Sequence, residues 1–165
     1  MGDNAASAGP RGLFKRETKG FVTKPVRLQL ERGHMRFFAE ILGETDPVFS
    51  DLIAAQAQGY PDIVAPPSFA AVIETMASEE QRRSGERPLT EVIGCDFRHL
   101  LHGEQHFAYD GLMYAGDEVV ITTLVEDFFE KRGGMLEFVV LLSTISHAER
   151  GVLVRTRRTL LHRFG

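Results

Sequence analysis

The feature that most constrains this chain is a change of hydrophobic period near Ile93. Upstream, apolar residues recur about every 3.6 positions, the spacing of one helical face, whereas downstream they run in long strand-like segments. Four such segments occupy 102–109, 118–129, 135–146 and 152–162. Between them stand Asp110-Gly111 with Ala115-Gly116-Asp117, then 131–134, then 147–151, all of turn chemistry. These connections are too short for crossover helices, so neighbouring strands are expected to pair antiparallel. A length of 165 residues suits one hydrophobic core. The expected class is α+β, a helical first half wrapped by an antiparallel sheet.

Within the first half, His34, Phe37, Phe38, Ile41 and Leu42 fall at i, i+3, i+4, i+7 and i+8 and predict a helix with one apolar stripe. Gly43 supplies a left-handed stop, and Pro47 prevents continuation. Asp51 suits the N-cap of a short helix over 52–58, closed by Gly59. Ser68 is placed to cap a longer, buried helix whose stripe is Phe69, Val72, Ile73, Met76 and Ala77. Residues 78–88, charged and containing Gly85, are expected to fray into a surface loop. Residues 22–30 alternate like a strand, which Pro25 confines to an edge. Residues 1–20, rich in Gly, Ala and Arg, are expected to be a flexible lead-in to a domain over 21–165.

Composition narrows the partners. A net charge of −4 gives no nucleic-acid footprint, and Arg155, Arg157, Arg158 and Arg163 sit inside an apolar alternation, as on a solvated strand face. Cys95 is the only cysteine, which excludes an intramolecular disulfide; its apolar context reads as core and not as a nucleophile. No apolar run approaches the ~18 residues of a membrane span, and 1–20 lacks the apolar segment of a signal peptide. Gly2 begins like a myristoylation site, but Ala6 stands where that site wants Ser or Thr. The cytoplasm is the expected location, with neither nucleic acid nor membrane as a partner.

A long buried helix followed by a meander of long strands is what a hot-dog fold needs, the sheet curling round the helix. Gly43-Glu44-Thr45-Asp46-Pro47-Val48-Phe49-Ser50-Asp51 resembles the signature of the MaoC-type (R)-enoyl-thioester hydratases, G-D-x-N-P-[LIV]-H-x-D. Ala65-Pro66-Pro67-Ser68-Phe69, 101–107 and Ala115-Gly116-Asp117 resemble motifs of one branch. That branch is the N-terminal MaoC-like dehydratase half-domain, found in double-hot-dog hydratases and in one subunit of heterodimeric β-hydroxyacyl-thioester dehydratases. The resemblance runs over 22–163. It implies a hot-dog fold, an acyl-CoA or acyl-carrier-protein thioester as substrate, no cofactor, and a homodimer or a heterodimer with another hot-dog domain.

The departures from that family are specific. Hydrating a 2,3-enoyl thioester needs a carboxylate and an imidazole about one water, and a backbone N–H for the thioester oxyanion. At the family's carboxylate position this chain has Glu44, and at its histidine position Phe49, which cannot transfer a proton. The longer arm of glutamate would misplace its carboxylate by about 1 Å, enough to cost ~10²-fold. Where the active enzymes carry His-Gly at the helix entrance, this chain has Pro66-Pro67, and proline has no N–H to donate. The resemblance makes Asp46, Pro66, Pro67, Ser68 and Phe69 the expected substrate-binding residues and Glu44 the remaining acid.

The histidines are the possible replacements for the missing imidazole. His102 and His106, with Glu104 between them, are expected on one strand face, and His102 is the candidate surrogate base. They lack a third ligand, so no metal site is expected. His34 reads as a core or boundary residue, and His99, His147 and His162 as loop or exposed-face residues. Three functions follow. One is a weakly catalytic or non-catalytic subunit that binds acyl thioester beside a catalytic hot-dog partner. Another is a self-sufficient enzyme, either a hydratase using Glu44 and His102 or a thioesterase using Glu74. The third is an acyl-thioester-binding scaffold.

Overall fold

The computed structural model describes residues 12–164. Its helices are α1 (Arg32–Leu42), α2 (Leu52–Ala57), α3 (Phe69–Arg83) and α4 (Leu89–Val92), and its strands β1 (Val26–Gln29), β2 (Leu100–Tyr109), β3 (Glu118–Lys131), β4 (Leu136–His147) and β5 (Gly151–Arg163). All neighbouring strands are antiparallel, in the order β1-β3-β4-β5-β2. The α3 helix packs on this sheet: Phe69 and Ile73 are fully buried in one cluster with Val119, Ile121, Ile145 and Val154 from β3, β4 and β5. This is the hot-dog arrangement. A second cluster joins Leu89 and Ile93 to Val125, Val139, Leu141 and Leu160.

Four expectations are corrected. The β2 strand does not pair with β3, its neighbour in sequence, but lies at the far edge beside β5. The turn-rich residues 110–117 do not close a hairpin, because they carry buried Met113 and Ala115, whose backbones bond to Ala65 and Ile63 just before α3. The α3 helix does not fray at Ser78 but continues to Arg83, where Glu79–Arg82 and Glu80–Arg83 pairs satisfy its charged last turns. In α1 the helix and its left-handed Gly43 stop are found, yet the enclosed residues are Met35 and Ala39. Phe37 and Ile41, on the expected stripe, are 60% and 63% exposed, because only the Phe38 and His34 edges of the helix reach Phe69.

The N-terminal segment is also more ordered than a lead-in over its described part, while 1–11 lie outside the described residues. Phe14 is 5% exposed and stacks on His162 at 3.9 Å. The buried Glu137 carboxylate accepts from the N–H groups of Leu13 and Phe14, at 2.9 and 3.2 Å. Gly12 permits this approach, since a Cβ there would lie 2.3 Å from Glu137 Oε1. Residues 20–23 then run along β3, and Pro25 interrupts the edge before β1 begins. Among the described residues, no helix is long and apolar enough to cross a membrane.

Candidate functional site

The motif loop after α1 is held by its own backbone. Glu44 N–H returns to the carbonyl of Ala39, and Asp46 Oδ1 accepts from Val48 N–H at 3.0 Å, capping a 3-10 turn over Pro47–Phe49. Asp51 caps α2 in the same way through Ala54 N–H at 2.9 Å. The carbonyl of Val48 then accepts from Val64 N–H, tying the loop to the segment that enters α3. Together these elements wall a cleft of about 270 Å³, lined by Asp46, Phe49, Tyr60, Pro67, Tyr109 and Met113 among others. That volume lies near the small end of ligand pockets.

Of the expected site residues, the structure brings Asp46, Phe49 and Pro67 to this cleft. Glu44 is exposed and outside its lining. Pro66 is buried and Phe69 wholly enclosed, so neither offers a surface to ligand, and Phe69 N–H is taken by the carbonyl of Pro66 at 2.8 Å. Ser68 stands at the N-cap position of α3, but its hydroxyl makes no capping bond.

His102 lies elsewhere, exposed on the edge strand, with Nε2 3.0 Å from Gln105 Oε1. The expected His102, Glu104, His106 face does not form. A bulge between His102 and Glu104 shifts the register: His102 sits opposite Leu160, while Glu104 and His106 sit opposite Thr159 and Arg157 on the other face. Gly103 is the signal for that break, packed so closely that a Cβ would meet Leu161 Cδ2 at 3.0 Å.

Sequence reasoning missed Tyr60 and Tyr109. Tyr109 ends β2, and the alternation that aims it at the cleft was readable only after placing the bulge. Burial pushes its phenol up to about 12, so at neutral pH it can donate a hydrogen bond but not act as a base. Among the described residues, the cleft lining holds one carboxylate, already engaged with its own turn, and no imidazole.

The remaining buried titratable groups hold the fold together. Glu74 is 4% exposed; its Oε1 accepts from Ser143 and Thr156 hydroxyls at 2.9 and 2.5 Å, with Arg158 3.5 Å from Oε2. It faces a cavity of only about 20 Å³, room for one water and not for a thioester. His162, expected on an exposed face, is fully buried: Nε2 accepts from Asp96 N–H at 2.9 Å, which leaves the proton on Nδ1, 3.2 Å from Glu137. His147 is half-buried 3.9 Å from Asp117, whose other oxygen pairs with Arg150. Burial raises the Cys95 thiol to about 12, which leaves it inert.

Residues 17–157 match the family model of the FAS1-like dehydratase domain region. A UPF0336 protein of Streptomyces avermitilis is 36% identical over 98 residues, 59% of this chain and 61% of that relative, so the match spans less than two thirds of the relative's length. In fold, the chain resembles the C-terminally truncated HadBC (3R-hydroxyacyl-ACP dehydratase) complex from Mycobacterium tuberculosis, with a TM-score of 0.70 and 20% identity over 87% of this chain and 96% of that one. It also resembles a MaoC-like dehydratase, with a TM-score of 0.72 and 19% identity over 90% of this chain and 43% of that one.

Proposed function

The chain belongs to the FAS1-like dehydratase-region family, and from that premise we propose that it is the non-catalytic or weakly catalytic half of a 3-hydroxyacyl-thioester dehydratase or (R)-enoyl-thioester hydratase. It would bind acyl thioester and pair with a hot-dog partner that supplies the acid and the imidazole. One observation carries this reading: Phe49 and Pro67 line the cleft built by the motif loop, and these are the two positions to which the family resemblance assigns proton transfer and the oxyanion amide. Asp46, the one acid in its wall, caps its own turn. The apolar lining suits the acyl part of a ligand.

Pairing is supported by the two sheet edges, which differ. The β1 edge is four residues long and broken by Pro25, the kind of edge that resists extension. The β2 edge is ten residues long, lacks proline, and is exposed along most of its length. An unpaired edge of that kind invites a second hot-dog. The HadBC protein of similar fold is itself a complex.

The test is co-expression with a hot-dog domain that carries an intact G-D-x-N-P-x-H signature. The co-purified pair is expected to hydrate crotonyl-CoA, and light scattering is expected to find no monomer at micromolar concentration. A stable monomer, or a pair without turnover, would overturn the assignment. No observation favours the thioesterase alternative, because Glu74 is enclosed.

A further inference from the structure

At the start of β2, opposite in strand direction from the cleft, Arg98, His99 and Arg163 surround an open basin of about 430 Å³, floored by Leu100 and Leu101. Its cations are held in place. Arg98 is fixed by Asp96, with Nε 3.0 Å from Oδ1 and Nη2 2.5 Å from Oδ2, and Asp96 is anchored through its own N–H to buried His162. The backbone N–H of Arg163 bonds to the carbonyl of His99 at 3.0 Å, which locks the loop to the end of β5. Among the described residues, Arg163 has no carboxylate partner, so its charge is left for a ligand. Leu101, in the same lining, is 48% exposed.

Within one chain this basin cannot serve the cleft, because they occupy opposite ends of a ten-residue strand, roughly 30 Å apart. Pairing changes that. If two hot-dogs join at β2 about an axis perpendicular to the sheet, which keeps both central helices on one face, the edge strands run antiparallel. The Leu100 end of this chain then lies beside the cleft end of its partner's strand. Resting on the proposed pairing, we propose that Arg98, His99 and Arg163 bind the phosphate-bearing end of the pantetheine arm of a thioester whose acyl end enters the partner's cleft. This chain would thereby supply part of the substrate site for chemistry performed on the other subunit. The fork of Arg163 suits phosphate because it can donate two parallel hydrogen bonds, while Arg98, whose Nε and Nη2 are engaged by Asp96, offers its Nη1 side.

The experiment uses the co-purified pair and compares KM for crotonyl-CoA with KM for crotonyl-pantetheine, which has no phosphate. The wild-type pair is expected to favour the CoA thioester by about tenfold or more, and Arg98→Ala with Arg163→Ala in this chain to abolish that preference, acting on KM and not on kcat. Arg163→Ala alone, which leaves the Arg98–Asp96 anchor intact, is expected to remove part of it and to keep the wild-type Tm, whereas the double variant also loses the Arg98–Asp96 pair and is read while it still co-purifies and turns over. A crotonyl-carrier protein run alongside separates the sources: loss with both carriers points to the phosphate adjoining pantetheine, and loss with CoA alone to its nucleotide phosphates. An unchanged preference in an active double variant overturns this inference and leaves the pairing intact. A pair that turns over neither thioester overturns the functional reading and this inference with it.

Discussion

Single buried groups decide how this chain is held together, and Glu137 shows it most plainly. Its carboxylate is almost wholly enclosed and serves Leu13, Phe14 and His162 at once. Glu137→Gln keeps the shape but loses the charge and one acceptor, so urea unfolding is expected to register a loss of about 1–3 kcal/mol, with faster amide exchange at Leu13 and Phe14. Unchanged stability and exchange would mean that the strap is held by Phe14 packing alone. Neither Glu137 nor His162 was legible as a pair in the sequence, where both sit in strand alternations 25 positions apart. Only the β4–β5 register brings them opposite each other. Phe49 differs: its place in the motif was readable from the family resemblance, and in the structure it lines the cleft.

Elements were legible where local chemistry punctuates them and less so where packing decides. Gly43, with φ of 71°, ended α1 where expected, and Asp51 capped α2. The facing of α1 was not legible, because its sequence offers more apolar surface than the fold covers. Met35→Ala is therefore expected to cost about 2–5 kcal/mol, whereas Phe37→Ala should stay within about 0.5 kcal/mol, the reverse of what a stripe through Phe37 would give. Chemical denaturation of the two variants separates these readings. The sheet order was hidden for another reason. Residues 110–117 have the composition of a hairpin turn, but the burial of Met113 and Ala115 makes them a crossing segment instead. The Gly103 bulge likewise scattered a histidine cluster that strict alternation would have gathered.

At the scale of the whole molecule, charge and pairing set the behaviour. Hydrogen bonds from Arg32, Arg98 and Lys19 hold Asp62, Asp96 and Asp127 respectively below the ordinary carboxylate range. A carboxyl whose folded pKa is depressed contributes stability above its unfolded value and loses it as pH falls through the folded one. The urea midpoint is therefore expected to be level near neutrality and to drop below about pH 4, the ordinary aspartate value. A midpoint that held steady down to pH 2 would show that these pairs contribute nothing. The larger claim is that one hot-dog of this sequence is half of a working site. Its most direct test is the hydration of crotonyl-CoA by the purified chain alone. The account predicts at most weak turnover, at least ~10²-fold below that of the co-purified pair, and turnover by the isolated chain that matches the pair and disappears in Glu44→Gln would contradict it.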